Sequence, residues 1–296
     1  RQSTARGGLL MRSLLLPVLM AAACVAPAWA QSAGPRLMST NICADVLALS
    51  LADPSQIISL SRQSQDAKRF SMVAKASQFA ANEASAEDVL HLKPDVVLAS
   101  RRWNVRHQQE LLKQYGVRIV TVPFPTDWQA ILDSTLKMGK AIGREAAAQA
   151  LVQNVQSRLA KLQASSRPLN ALYLRPNGGS AGTQTHVDAV LAAAGLRNHA
   201  TVLGLKGWGR LDMERILMNP PDVFITPSMV NDTAYAKSAL SRHPQMKALL
   251  SRIPVVTLTE NDWGCSNWQL IEAAEAVAAQ LEALGLSGAT AKGAPV

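Results

Sequence analysis

Beyond residue 30 the sequence has no apolar run approaching the ~20 residues needed to cross a bilayer. It has no Gly-Lys-Ser/Thr phosphate loop and no dinucleotide-type glycine spacing. An HExxH pair and a Cys-His signature are both missing, which leaves an enzyme little recognisable machinery. The five histidines, His91, His107, His186, His199 and His243, form no pair at helical or strand spacing. A directly held zinc or manganese ion is therefore disfavoured. No basic helix interleaved with aromatics is present, so a nucleic-acid partner has no support. Neither catalytic residues nor metal ligands are assigned on this reading. Glycine and proline are ordinary in amount and 48% of the chain is apolar, the balance of a globular protein.

What is present begins with Met11-Arg12, the apolar run Leu14 to Val25, and Ala28-Trp29-Ala30. A basic residue, a short apolar core and small residues at minus three and minus one predict a secretory signal, cleaved after Ala30. Residues 1–10 then read as an upstream extension. Ala22-Ala23-Cys24 offers a lipoprotein alternative, which ranks second because Ala21 stands where such signals usually carry Leu. An exported, periplasmic protein is the expectation. The chain carries a formal charge of +9, and the first 30 residues hold three Arg and no acid. About +6 is left for the rest, spread without a patch.

The chain contains an imperfect internal repeat. Glu87-Asp-Val-Leu-His-Leu-Lys-Pro94-Asp95-Val-Val-Leu resembles Glu214-Arg-Ile-Leu-Met-Asn-Pro-Pro221-Asp222-Val-Phe-Ile. Ser85 and Asp212 suit N-caps, whose side-chain oxygens accept free amide protons, and Pro94 and Pro221 end each helix. Val96 to Ala99 and Val223 to Thr226 then read as buried parallel strands. Leu37 to Ser39, Val117 to Val122, Ala171 to Leu174 and Pro254 to Leu258 complete the alternation of strand and helix that marks an α/β protein. Between the halves, Trp128 to Ile142 and Arg144 to Ser165 read as helices broken near Gly143. The second carries apolar residues at Ala147, Leu151, Val155, Leu159 and Leu162, and is expected to run roughly 30 Å and brace two lobes. The predicted fold is α/β, with two Rossmann-like lobes joined by a long rigid α-helix. Its divisions are a signal peptide and extension (1–30), an N-terminal lobe (36–126), a helical linker (127–166), a C-terminal lobe (167–286) and a disordered Gly/Ala/Ser-rich tail (287–296).

Together these features resemble the helix-hinged periplasmic binding proteins that deliver ferric siderophores and vitamin B12 to ABC importers. The resemblance spans roughly residues 36 to 284. It is carried by Ser85-Ala-Glu87 through Lys93-Pro94-Asp95-Val-Val-Leu-Ala, by Trp208-Gly-Arg-Leu-Asp-Met-Glu214, and by Ile253-Pro-Val-Val-Thr-Leu-Thr with Asp262-Trp263. It implies a monomer that grips a metal chelate between two lobes, needs no cofactor, and meets the membrane only through the dimeric permease of an ABC importer. It also implies docking through one acid on each lobe, and Glu87 and Glu214 occupy matched places in the repeat. Alone, each would read as an acid favoured in a first helical turn by the helix dipole, worth about 0.3–1 kcal/mol.

Candidate ligand contacts follow from position and chemistry. Trp103, Trp208 and Trp263 are expected on loops at carboxyl ends of strands, where open α/β sheets bind ligands. Trp128 and Trp268, at helix starts, suit core packing at least as well. Arg101, Arg102 and Arg106 with His107 surround Trp103, while Tyr173, Arg175 and Arg210 belong to the second half and Asp262 adjoins Trp263. Arginine forks suit carboxylate or catecholate oxygens and so an anionic siderophore; the tryptophans suit a corrinoid. A solvated surface face explains the arginine run equally well. Asn177 to Thr183, rich in glycine, reads as a flexible cleft loop. Cys43 and Cys265 are the two cysteines beyond residue 30. An even count in an oxidising compartment suggests a disulfide between them, with two separate thiols the other possibility. The alternatives of another class are an exported hydrolase built on Asp262, Ser266 and His243 or on Ser180, and a binding module that senses rather than transports.

Overall fold

The computed structural model describes residues 34–67, 70–106, 109–162, 168–175, 177–227, 243–258 and 263–286. The expected signal segment, Cys24, and the tail from 287 lie outside them, as do His107 and Asp262. The N-terminal lobe runs β1 (Leu37–Ser39), α1 (Ile42–Leu51), β2 (Ile57–Ser61), α2 (Val73–Ala76), β3 (Ala81–Asn82), α3 (Ala86–Leu92), β4 (Val96–Ala99), α4 (Arg101–Arg106), α5 (Gln109–Gln114) and β5 (Arg118–Thr121). Its five strands pair in parallel in the order β3-β2-β1-β4-β5. Two helices follow, α6 (Trp128–Ala141) and α7 (Glu145–Leu159).

The C-terminal lobe contains β6 (Asn170–Tyr173), β7 (Gly179–Ala181), α8 (His186–Ala193), β8 (Arg197–Asn198), α9 (His199–Val202), β9 (Trp208–Arg210), α10 (Met213–Met218), β10 (Val223–Pro227), α11 (Pro244–Leu250), β11 (Val255–Leu258) and α12 (Leu270–Ala283). Its main sheet is parallel, ordered β11-β10-β6-β8. In both sheets the first strand of the lobe lies between two later strands, so successive connections run in opposite directions across the sheet. This is the switch point beside which doubly wound sheets open a ligand crevice at the carboxyl ends of their strands.

The strands form because both faces are buried. Leu37, Val96 and Leu98 enter the core under α1, while their alternates Met38, Val97 and Ala99 enter the core with Val89 and Leu112. The second lobe repeats the pattern. Tyr173, Val223, Ile225 and Val256 face α8 and α12, while Leu172, Leu174 and Phe224 face α9 and α11. The repeated Pro-Asp has a shared structural purpose. The Asp95 carboxylate accepts from the Arg36 amide at 2.7 Å, and the Asp222 carboxylate accepts from the Asn170 amide at 2.8 Å. Each acid ties the start of a repeat strand to the start of the lobe's first strand. Ser85 caps α3, accepting from the Asp88 amide, and Asp88 reciprocates to the Ser85 amide. Asp212 occupies the matching N-cap position, but its side chain makes no capping bond.

The helical bridge differs in detail from the expected single long brace. α7 has 15 residues, about 22 Å rather than 30 Å. It packs side by side with α6 as an antiparallel pair, turned at Gly143, whose φ of +70° suits glycine. Ala148 of α7 lies so close to Gly139 that any side chain there would strike it. α6 starts on the C-terminal lobe, where Ile131 joins the core and the Trp128 indole donates to Ala189 O at 3.0 Å. It ends on the N-terminal lobe with Met138. α7 returns, through Ala148 and then Val152 and Val155 against Ile271. Both helices therefore touch both lobes. Among the described residues, no helix is long and apolar enough to cross a membrane.

Candidate functional site

The carboxyl ends of β6 and β11 gather an aromatic cluster. Tyr173, the last residue of β6, is buried because its ring fills the lobe core. Trp263, after β11, is 2% exposed and lies against it, with ring centroids 5.2 Å apart and tilted by 40°. Trp208 on β9 also meets Tyr173, edge-on at 6.2 Å, and remains 42% exposed. Its position depends on β7 and β9, which pair antiparallel as Gly179↔Arg210, Ser180↔Gly209 and Ala181↔Trp208. The glycine-rich segment expected to be a flexible loop is thus partly a strand. Its small residues lie on a crowded floor: a side chain at Gly182 would strike the Leu205 carbonyl.

Arg175 follows β6 and spreads over these rings. Its guanidinium carbon lies 4.8 Å from the Trp208 ring centre and 5.9 Å from that of Tyr173, within cation–π range. Its Nε donates to the Tyr173 hydroxyl at 3.0 Å. The guanidinium is exposed at the edge of the cluster, so a flat aromatic surface and a fixed cation sit side by side. A ligand with an extended ring and an acidic or amide periphery matches that surface chemically.

Sequence reasoning passed over two members of the cluster. His186 opens α8 under an N-cap from Thr185, whose hydroxyl accepts from the Asp188 amide at 3.2 Å. Its ring touches Trp208 at 5.4 Å and Phe124 at 5.2 Å. Phe124, on the segment leaving the N-terminal lobe, is 56% exposed. His186 Nε2 lies 3.1 Å from Trp263 O, and a carbonyl only accepts, so that nitrogen carries the proton. Burial pushes the His186 pKa down to about 4, the hydrogen bond to Trp263 opposes this, and Arg175 lowers it further. The ring is therefore neutral at pH 7. Its buried Nδ1 and the buried Trp263 Nε1 have no hydrogen-bond partner among the described residues. The pattern T-x-x-D marks the helix start, but nothing local marks its histidine as buried beneath aromatics.

On the N-terminal lobe the placement differs from expectation. Trp103 lies within α4 rather than on a loop and is 7% exposed. Its ring packs with Met38, Val97 and Leu112, and its Nε1 donates to Ala84 O at 2.6 Å. That indole serves the core and offers no open face. Arg101 and Arg102 begin α4 at the carboxyl end of β4 and are exposed. The Arg106 side chain, His107 and Asp262 fall outside the described part. Trp268 packs against the N-terminal core and donates to Ser50 Oγ at 3.1 Å. Among the described residues, no group of three His, Cys, Asp or Glu side chains could hold a metal ion.

Cys43 and Cys265 are joined as a disulfide with Cα atoms 5.3 Å apart. Cys43 lies in the first turn of α1, just after β1, and Cys265 lies two residues beyond Trp263. Glu87 and Glu214 are both exposed at the second position of α3 and α10. Asp45, one turn into α1, is buried beside the carboxyl ends of β1 and β2. It accepts from Ser39 Oγ, from Ser61 Oγ, and from the Ser61 amide at 3.0 Å. Burial outweighs these bonds and raises its pKa from 3.8 to about 6.

The sequence model of the periplasmic binding protein family matches residues 44–252. A cobalamin-binding protein of Halobacterium salinarum is 29% identical over 153 residues, which cover 49% of this chain and 41% of that protein. The chain thus spans well under half the length of that relative. A vitamin B12-binding protein of Pectobacterium atrosepticum is 23% identical over 219 residues, covering 70% of this chain and 74% of the relative. Among solved structures, the periplasmic heme-binding protein of Vibrio cholerae superposes with a TM-score of 0.70 at 18% identity, over 83% of this chain and 98% of that one. The vitamin B12-binding protein of the same organism gives 0.59 at 17% identity, over 86% and 98%. At such identities these likenesses speak for the fold: two α/β lobes, a crevice between their strand ends, and a helical bridge. With the matching model covering most of the chain, the protein belongs to the periplasmic binding protein family.

Proposed function

We propose that the chain is the exported solute-binding protein of an ABC importer and that it carries a metal chelate as cargo rather than as a cofactor. The observation that carries this reading is the exposed Trp208 ring bearing the Arg175 guanidinium at the carboxyl ends of the C-terminal sheet. A broad apolar surface beside one fixed cation suits a large flat ligand with polar side groups. Names of relatives, cobalamin-binding, vitamin B12-binding and heme-binding, favour a tetrapyrrole chelate over a siderophore. A relative is described as an ABC transporter substrate-binding lipoprotein, which supports a permease as partner and a compartment outside the cytoplasm. Glu87 and Glu214 are the docking residues on this reading, one per lobe, as a two-fold permease would require. Binding rather than turnover is the activity, in keeping with the family.

The reading is tested by titrating the purified protein with cyanocobalamin, hemin and a set of ferric siderophores while following tryptophan emission. Saturable quenching by a tetrapyrrole supports it. Quenching by siderophores alone moves the ligand class, and no response to any chelate rejects the cargo.

A further inference from the structure

The two lobes are joined twice. One connection is the α6–α7 pair, which reaches both cores. The other consists of residues 263–268, which follow the last strand of the C-terminal lobe yet are fastened to the N-terminal lobe along their length. Cys265 is bonded to Cys43 of α1. Ser266 donates to the carbonyl of Pro125, on the segment that leaves β5. Trp268 packs against the N-terminal core and donates to Ser50 of α1. The same segment begins with Trp263, which lies on Tyr173 and receives the His186 hydrogen bond. Only four residues therefore separate Trp263, in the wall of the aromatic cluster, from Trp268, the last of these fastenings.

The placement matters because Cys43 follows β1 and Cys265 follows β11, so the bond spans the lobes on the side where both sheets end. A covalent tie there opposes separation of the lobes by hinge motion, whereas noncovalent contacts alone yield on a microsecond-to-millisecond scale. We propose that the Cys43–Cys265 bond is an interlobe strap that sets the cleft width before any ligand arrives, so that exchange proceeds through movement of exposed side chains such as Phe124 and Trp208 rather than through opening of the lobes. The proposal concerns the lobes themselves and does not rest on the identity of the cargo.

The test uses the full exported chain without ligand. Lys75 on α2 and Lys247 on α11, both exposed and on opposite lobes, are replaced by an azide-bearing amino acid and labelled as a fluorescent pair. Single-molecule transfer then reads the interlobe distance in the oxidised protein and in Cys43→Ser with Cys265→Ser. The oxidised form is expected to give one narrow distribution and the Ser pair a broader one shifted to longer distance, with faster amide exchange across residues 263–271. If the Ser pair does not fold, wild-type protein reduced with a phosphine and capped with iodoacetamide takes its place. An unchanged distance distribution in the unstrapped form overturns the proposal. A failure of every chelate to bind, with the distance change present, would instead strike the proposed function and leave the strap standing.

Discussion

Asp45 makes the structure sensitive to pH in a direction opposite to that of most carboxylates. Its side chain is buried and receives three hydrogen bonds, two from hydroxyls and one from the Ser61 amide. Desolvation is the largest influence and raises the pKa from 3.8 to about 6. The folded state therefore holds this proton more tightly than the unfolded state. The resulting stability is fully present below the unfolded value and is lost as pH rises through the folded one. A shift of this size corresponds to about 3 kcal/mol, most of it lost between about pH 4 and about pH 6. Asp45→Asn keeps the shape and cannot ionise; its carbonyl oxygen can keep the Ser39 hydroxyl and Ser61 amide bonds at the Oδ1 position, while the Ser61 hydroxyl turns to accept from the new NH2. The difference in unfolding free energy, variant minus wild type, should thus grow in favour of the variant by about 3 kcal/mol across that window. Urea unfolding at closely spaced pH values measures it. Parallel profiles for the two proteins would refute the reasoning.

Reducing the Cys43–Cys265 bond, which spans 222 residues of chain, should lower the unfolding free energy by about 5 kcal/mol on the chain-entropy account; denaturant melts with and without reductant read it. Trp263→Ala removes a ring fully enclosed against Tyr173 and should cost about 3–5 kcal/mol, measured the same way. Glu87→Arg combined with Glu214→Arg should abolish uptake into cells while chelate binding by the purified protein survives, since both acids are exposed and outside the aromatic cluster.

Much of the architecture is legible in the residues because local chemistry carries it. Val96-Val-Leu-Ala and Val223-Phe-Ile are strands buried on both faces, and such strands read as unbroken apolar runs. Pro94-Asp95 and Pro221-Asp222 announce the repeat because each acid ties down a strand start. The site was harder to read where its positions depend on distant partners. Gly179–Ala181 has no strand-like composition; it becomes a strand by pairing with Trp208–Arg210 nearly thirty residues on. Trp103 stands among arginines in sequence, yet the Ala84 carbonyl and Leu112 draw its ring inward. His186 looked like a scattered histidine, and its neutral, aromatic-enclosed state comes from the Trp263 carbonyl and burial. Asp45 gave no local sign, since its serine partners come from two different strands.

The central claim is that the chelate lies on the Trp208–Arg175 surface. Its most direct test is the dissociation constant of the tetrapyrrole that binds wild type, measured by calorimetry against Trp208→Ala with Arg175→Ala, in protein shown by circular dichroism to be folded and by thiol assay to keep its disulfide. Loss of one stacked ring and one charge-assisted contact predicts weakening of about a hundredfold. An unchanged dissociation constant would place the ligand elsewhere and contradict the account.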